Sequence, residues 1–212
     1  MKAMGRILSV LMMLALATTV AFAGGQQEDN GAQSEPAETG RSETTGITDD
    51  SISVGSFQAL SGPVAGIGIS VDRGMQAYFN FINANGGVHG RTIDLTVADD
   101  AFDPSRTVVE VRRMVESDEV FALVGGLGTP GNLAVMDYIE DQQVPYVYQA
   151  SGSGLLTNPP KQHIFGVQPN YTVEGRLMAQ YLVEDQGNER IALVYRNLDD
   201  GNELRDSVVE TL

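Results

Sequence analysis

The residues best suited to chemistry stand in the stretch FALVGGLGTPGNLAV, from Phe121 to Val135. Gly125, Gly126 and Gly128 separate a short apolar run, Val120–Val124, from Thr129-Pro130, after which the apolar spacing becomes helical. A hydroxyl residue followed by proline is the composition of a helix start, with Thr129 expected at the N-cap. A helix N-terminus offers unpaired N–H donors and partial positive charge, so it can hold a carboxylate. Glycines ahead of it leave the backbone open to close approach. A second stretch of the same character, QASGSG, covers Gln149–Gly154. Hydroxyl and backbone groups of this kind recognise a ligand by hydrogen bonding.

Bond-breaking chemistry needs a different constellation, and the sequence holds none of the usual ones. His89 and His163 are the two histidines; His89 sits in a helix-to-strand loop, at the edge away from the loops that follow the strands, and His163 begins a strand. SGSG at Ser151–Gly154 lacks the spacing of a nucleophile elbow. No zinc-protease helix motif and no phosphate-binding loop occurs. Asp99, Asp100 and Asp103 lie close in sequence. Helix capping by Asp103 and backbone bonding by a neighbour account for them better than a metal, because hard cations need more converging oxygens. No catalytic residue, metal or cofactor is therefore assigned.

The elements that must position these residues alternate in period. SISVGSF (Ser51–Phe57), TIDLTVA (Thr92–Ala98), Val120–Val124, VPYVY (Val144–Tyr148), HIFGVQP (His163–Pro169) and RIALVYR (Arg190–Arg196) read as strands. Between them, helical spacing runs over Ile69–Asn85, from Asp103-Pro104 to about Ser117, from Pro130 to about Asp141, over Tyr171–Glu184 and from Asn202 onward. This alternation predicts an α/β, doubly wound, mostly parallel sheet with helices on both faces. Ligands of such sheets bind outside the carboxyl ends of the strands. The segments after the first four strands are QALSGPVAGIG, DDAFDP, GGLGTPGN and QASGSG. They share that edge, and three of the four are rich in Gly, Ser, Thr and Pro. The opposite edge carries ordinary helix-to-strand links such as ESDE and EDQQ.

The chain of 212 residues carries 13 basic and 28 acidic residues, a formal charge of −15, and no cysteine. The charge disfavours nucleic acid and anionic membrane surfaces as partners. The lack of cysteine excludes disulfides and thiolate chemistry. Lys2 and Arg6, the apolar run Ile7–Val20 and the small residues of Ala21-Phe22-Ala23 form a secretory signal peptide over 1–23, cleaved after Ala23. Residues 24–49 are expected to be a disordered acidic leader, since 24–46 hold no Val, Ile, Leu, Met or aromatic residue to bury.

Four stretches together, GSFQALSGPVAGIG, INANGGVHGRTIDLTVADDAFDP, VFALVGGLGTPGNLAV and IFGVQPNY with Glu174-Gly175 after it, resemble the type I periplasmic solute-binding proteins. The branch they look most like is the leucine/isoleucine/valine-binding subunits of ABC importers. The likeness runs from about residue 51 to the end of the chain. It implies two α/β lobes joined by a hinge that close on a small ligand, with lobe one over 50–168, a crossing near Gly166–Asn170, and lobe two begun over 169–212. It also implies a fragment, because family members are longer. By the same resemblance Thr129, with amides near Gly128, holds a ligand carboxylate and Leu127 lies beside it. The carbonyl of Ala150 and a hydroxyl at position 152 receive an ammonium. Gly152 has no hydroxyl, so Ser151 or Ser153 stands in for it. Ile67 takes the place of an aromatic cover, and Asp200 that of a tyrosine in the second lobe. The expected function is an exported, monomeric binding protein that delivers a branched-chain or related amino acid to a membrane permease, without cofactor or catalysis. Aromatic acids or amides as ligands, a receptor's sensory domain, and an exported α/β enzyme remain alternatives.

Overall fold

A computed structural model describes residues 42–212. The expected signal peptide and the leader up to residue 41 lie outside the described residues. Residues 42–49, assigned by composition to the leader, do pack here. Ser53 N donates to Gly46 O at 2.8 Å, and Ile47 bridges Ile52 in antiparallel fashion.

Five parallel strands form one sheet: β1 (Ser51–Gln58), β2 (Thr92–Asp99), β3 (Ala122–Val124), β4 (Tyr146–Val147) and β5 (Ile164–Phe165). Their spatial order is β2-β1-β3-β4-β5. The β1–β2 ladder is in register from Ser51 opposite Thr92 to Gln58 opposite Asp99, and β3 adds Ala122 opposite Val54. The helices between strands are α1 (Ala65–Ala84), α2 (Pro104–Glu116) and α3 (Thr129–Asp141). After β5 come α4 (Tyr171–Gln180) and α5 (Asp199–Thr211), which pack on each other.

The sheet's two faces are covered unequally. On one, α2 and α3 pack side by side over Phe57, Leu123, Tyr146 and Ile164, contributing Val111, Met114, Val135 and Ile139 to one buried cluster. On the other, α1 lies along β1 and β2, and Gly68 is its one fully buried residue. Pro104 at the first turn and the Asp103 carboxylate, which accepts from Ser105 N at 2.8 Å, start α2 where local sequence places it.

Several elements differ from expectation. The outer strands are shorter than their apolar runs. Tyr148, with φ of 57°, turns the backbone out of the extended region and ends β4. The Tyr171–Glu184 helix keeps α geometry only to Gln180 and widens into a π turn over Tyr181–Asp185. Arg190–Arg196 is not a strand, and Val194 is 97% exposed. Its composition suits a strand, but a strand exists only in a ladder, and no described residue pairs with it.

The core of α2 gives a direct test. Met114 is fully buried beneath Gly55 and Leu123, so Met114→Ala should lower stability by about 2–5 kcal/mol in urea unfolding.

Candidate functional site

The order β2-β1-β3 makes the carboxyl ends of β1 and β3 a topological switch point, because the connections leave them in opposite directions. Two side chains hold that point. Gln58, fully buried at the end of β1, donates from Nε2 to Gly125 O at 2.7 Å. Asn132, fully buried in α3, donates from Nδ2 to Gly126 O at 2.9 Å and Gly128 O at 2.7 Å, while its Oδ1 accepts from the Tyr146 hydroxyl. Burial pushes the Tyr146 hydroxyl well above its ordinary pKa, so it stays protonated and remains a donor. The glycine-rich turn is thus fastened from both sides.

Thr129 does not cap α3. Gly128 occupies the N-cap with φ of 91°, a backbone that side chains rarely adopt, and Thr129 becomes the first helical residue. A Cβ on Gly128 would also lie 2.2 Å from the Phe102 ring. The Thr129 hydroxyl instead meets the Ser151 hydroxyl at 2.7 Å, with both residues buried.

This contact joins the two stretches singled out in the sequence. Ala150 N donates to Gly126 O at 3.0 Å, Gly128 N donates to Ala150 O at 3.1 Å, and Leu127 bridges Ala150 in parallel. Ser153 N donates to Ser151 Oγ at 3.2 Å. Leu127, Gly128, Thr129, Ala150, Ser151 and Ser153 therefore form one hydrogen-bonded cluster at the end of β3 and β4, and Gly152, within it in sequence, accepts from Tyr171 N at 2.8 Å. The hydroxyl pair carries two protons, and its mutual bond uses one. Whichever oxygen donates within the pair, one O–H is left for a third partner. The first-turn amide of Thr129 has no acceptor inside its own helix. The cluster can therefore offer an anion an N–H and an O–H from one residue pair.

The groups expected to receive an ammonium are arranged differently. Ala150 O already accepts the Gly128 amide. Gly152 has no room for a side chain: a Cβ there would fall 2.3 Å from Pro169 O and 2.7 Å from the Tyr171 ring. The hydroxyl missing at 152 is thus excluded by the chain that follows β5. Ile67, in the first turn of α1, is 57% exposed. Asp200, in the first turn of α5, pairs with Arg196 and accepts from Gly201 N at 2.8 Å. Its link to the cluster is indirect, through the Arg196 guanidinium stacked 5.3 Å over the Phe102 ring.

Phe102 takes a part that sequence inspection missed, and Asp99 carries the expected bonding to backbone amides further, to the loop after β1. Phe102 has φ of 62°, a conformation with no sequence signal in an aromatic residue. Asp99 Oδ1 accepts from Leu60 N, Ser61 N and Ala101 N, and Oδ2 from Ser61 Oγ at 2.6 Å, pinning the loop after β1 to the end of β2. Asp100 accepts from Phe102 N and from Thr107 Oγ1. Backbone and hydroxyl groups thus satisfy both carboxylates. Among the described residues no group of three or more His, Cys, Asp or Glu could hold a metal ion.

Two predictions follow from these fasteners. Asn132→Ala leaves the buried Tyr146 O–H without its acceptor and takes one donor each from Gly126 O and Gly128 O, and should cost about 1–3 kcal/mol in urea unfolding. The Ser61 hydroxyl, aided by the amides of Ala101, Leu60 and Ser61, holds the Asp99 pKa below its ordinary 3.8. A depressed folded pKa stabilises above the unfolded value, and that contribution disappears as pH falls through the folded one. The stability difference between the parent and Asp99→Asn should therefore be constant near neutral pH and shrink below 3.8. A difference that grows on acidification would contradict this role.

Residues 51–212 match the family described as periplasmic binding protein. The Leu/Ile/Val-binding protein of Escherichia coli strain K12 is 28% identical over 163 residues, which cover 77% of this chain and 44% of that protein. A substrate-binding periplasmic protein from Ralstonia solanacearum superposes with a TM-score of 0.71 at 32% identity, over 76% of this chain and 45% of its own. A fatty acid ABC transporter substrate-binding protein from Thermomonospora curvata gives a TM-score of 0.71 at 26% identity, over 82% of this chain and 44% of its own. The chain spans less than half the length of these relatives. A parallel sheet with its hydroxyl cluster at the switch point, together with a family match from the first strand to the last residue, makes this chain a member of the periplasmic binding protein family.

Proposed function

We propose that the chain forms the carboxylate-capturing part of an exported solute-binding protein that serves an ABC importer. The observation that carries this is the buried Thr129–Ser151 hydroxyl pair at the N-terminus of α3, beside the switch point. A carboxylate there accepts the remaining O–H and the Thr129 amide, in the favourable field of the helix N-terminus. The relatives' names support this chemistry: leucine, isoleucine, valine and fatty acids all carry a carboxylate. A branched-chain amino acid is the first ligand to test, with a membrane permease as the receiving partner.

One observation favours a second ligand class. Gly152 cannot carry a hydroxyl and Ala150 O is already engaged, so the ammonium side is poorer than the carboxylate side. Carboxylic acids without an α-ammonium, aromatic or aliphatic, fit the same anion site. Under this reading residues 1–23 are the export signal, the leader follows up to residue 41, lobe one runs to 168 with residues 42–49 packed onto it, and 169–212 begin lobe two. The protein acts as a monomer and binds without turnover.

A thermal-shift panel of L-leucine, L-valine, an aromatic acid, an amide and a medium-chain fatty acid tests the reading. A ligand at about a hundred times its dissociation constant adds about 2.7 kcal/mol of stability. Stabilisation by amino acids selects the first class, and stabilisation by ammonium-free acids selects the second. Thr129→Val removes a hydroxyl bond to a charged ligand and should weaken carboxylate binding about 10- to 100-fold. Undiminished affinity in that variant would place the anion elsewhere.

A further inference from the structure

The cluster has a support outside the strands that carry it. Glu203, one turn into α5, accepts from Ser153 Oγ at 2.8 Å and from Gly154 N at 2.8 Å. It also accepts from Thr172 Oγ1, in the first turn of α4, at 3.1 Å. Three donors from two separate segments thus converge on one carboxylate. Gly154 permits the approach, since a Cβ there would stand 2.9 Å from Glu203 Oε1. The helix that carries Glu203 is itself held in place. Ser207 Oγ donates to Thr172 O, and Gly175 of α4 packs against Leu204 O and Ser207.

The consequence lies in the direction of the bonds. A carboxylate only accepts, so the Ser153 hydroxyl must donate to it. Ser153 Oγ is then an acceptor for Leu155 N, at 3.3 Å. Ser153 N donates in turn to Ser151 Oγ, and Ser151 Oγ meets Thr129 Oγ1. A continuous path of hydrogen bonds therefore runs from α5 through Ser153 and Ser151 to Thr129. We propose that Glu203 is a positioning residue for the ligand loop: it clasps residues 153–154 and thereby sets the hydroxyl pair that receives the carboxylate. This rests on the carboxylate reading of the site. Movement of α5 away from the loop breaks the clasp, so the position of α5 and the readiness of the anion site are coupled.

The test uses the whole chain, its Glu203→Gln variant, and Glu210→Gln on the same helix as control. Glutamine keeps one acceptor oxygen and loses the other, so it weakens the clasp without emptying the space. Without ligand, amide exchange at Gly154 should quicken about tenfold or more in Glu203→Gln and stay at the parent rate in Glu210→Gln. The amide resonances of Ser151 and Thr129 should shift in Glu203→Gln alone. Ser153→Ala should shift the same resonances while leaving Gly154 protected, which separates the clasp from general unfolding of α5. With L-leucine as probe, calorimetry should show about tenfold weaker binding for Glu203→Gln and none of that loss for Glu210→Gln. Unchanged exchange at Gly154, or unmoved Ser151 and Thr129 resonances, overturns the proposal. So does full L-leucine affinity in Glu203→Gln. If the parent fails to bind L-leucine, the choice of ligand is at fault, and the exchange and resonance measurements still decide the role of Glu203.

Discussion

Parallel pairing is the constraint on which the rest depends. A chain that leaves one end of a strand must travel back along the sheet before it can lay down a parallel neighbour, and the return is made by a helix over one face. Every strand of this sheet therefore ends at the same edge, and every loop that leaves a strand begins there. Once β3 is laid on the far side of β1 from β2, the two central strands part company above the sheet. The space between them is unclaimed by backbone. Residues 67 positions apart, such as Gln58 and Gly125, are brought together there by topology.

Unclaimed space among bare backbone must still be held in shape, and the molecule does this with buried polar side chains. Tyr146, Asn132 and the carbonyls of Gly126 and Gly128 form one small network in which each donor reaches an acceptor. Such networks specify a single geometry, because every incomplete alternative strands a buried polar group. The hydroxyl pair beyond them is the exception, with one proton more than its own bond needs. A hydroxyl pair with one proton unspent, held beside this network, is placed to meet an acceptor.

Much of this was legible in the sequence, and the boundary of legibility is physical. The order of elements and the parallel sheet follow from hydrophobic period and connection length. Asp103-Pro104 could be read as a helix start because a cap is made within three residues. Thr129 looked like a cap for the same local reason, but its partner lies 22 residues on in Ser151, and Gly128 took the capping backbone instead. Asn132 left a trace, a lone amide among the apolar residues of a helix start. Phe102 and Glu203 left none, since a positive φ in an aromatic residue and a bond between residues 50 apart are tertiary facts. Arg190–Arg196 shows the converse: β-type composition without a neighbouring strand forms no ladder.

The proposed anion site lies on a chain of formal charge −15, and distance reconciles the two. Exposed charges beyond about 8 Å are largely screened at physiological salt. A buried hydroxyl pair is reached by no such screening, and its donors act over bond lengths. Nor does the site borrow a free cation. Arg196, which stacks over Phe102 at its border, is already paired with Asp200. Under the proposed reading, discrimination for a carboxylate comes from oriented dipoles: an amide at a helix start and one hydroxyl proton. The donors of such a site carry no charge of their own, so they stay donors over the pH range in which a carboxylate ligand stays charged. The overall negative charge is then left free to serve solubility, and on the proposed reading the capture of an anion is decided within a few bond lengths of Thr129.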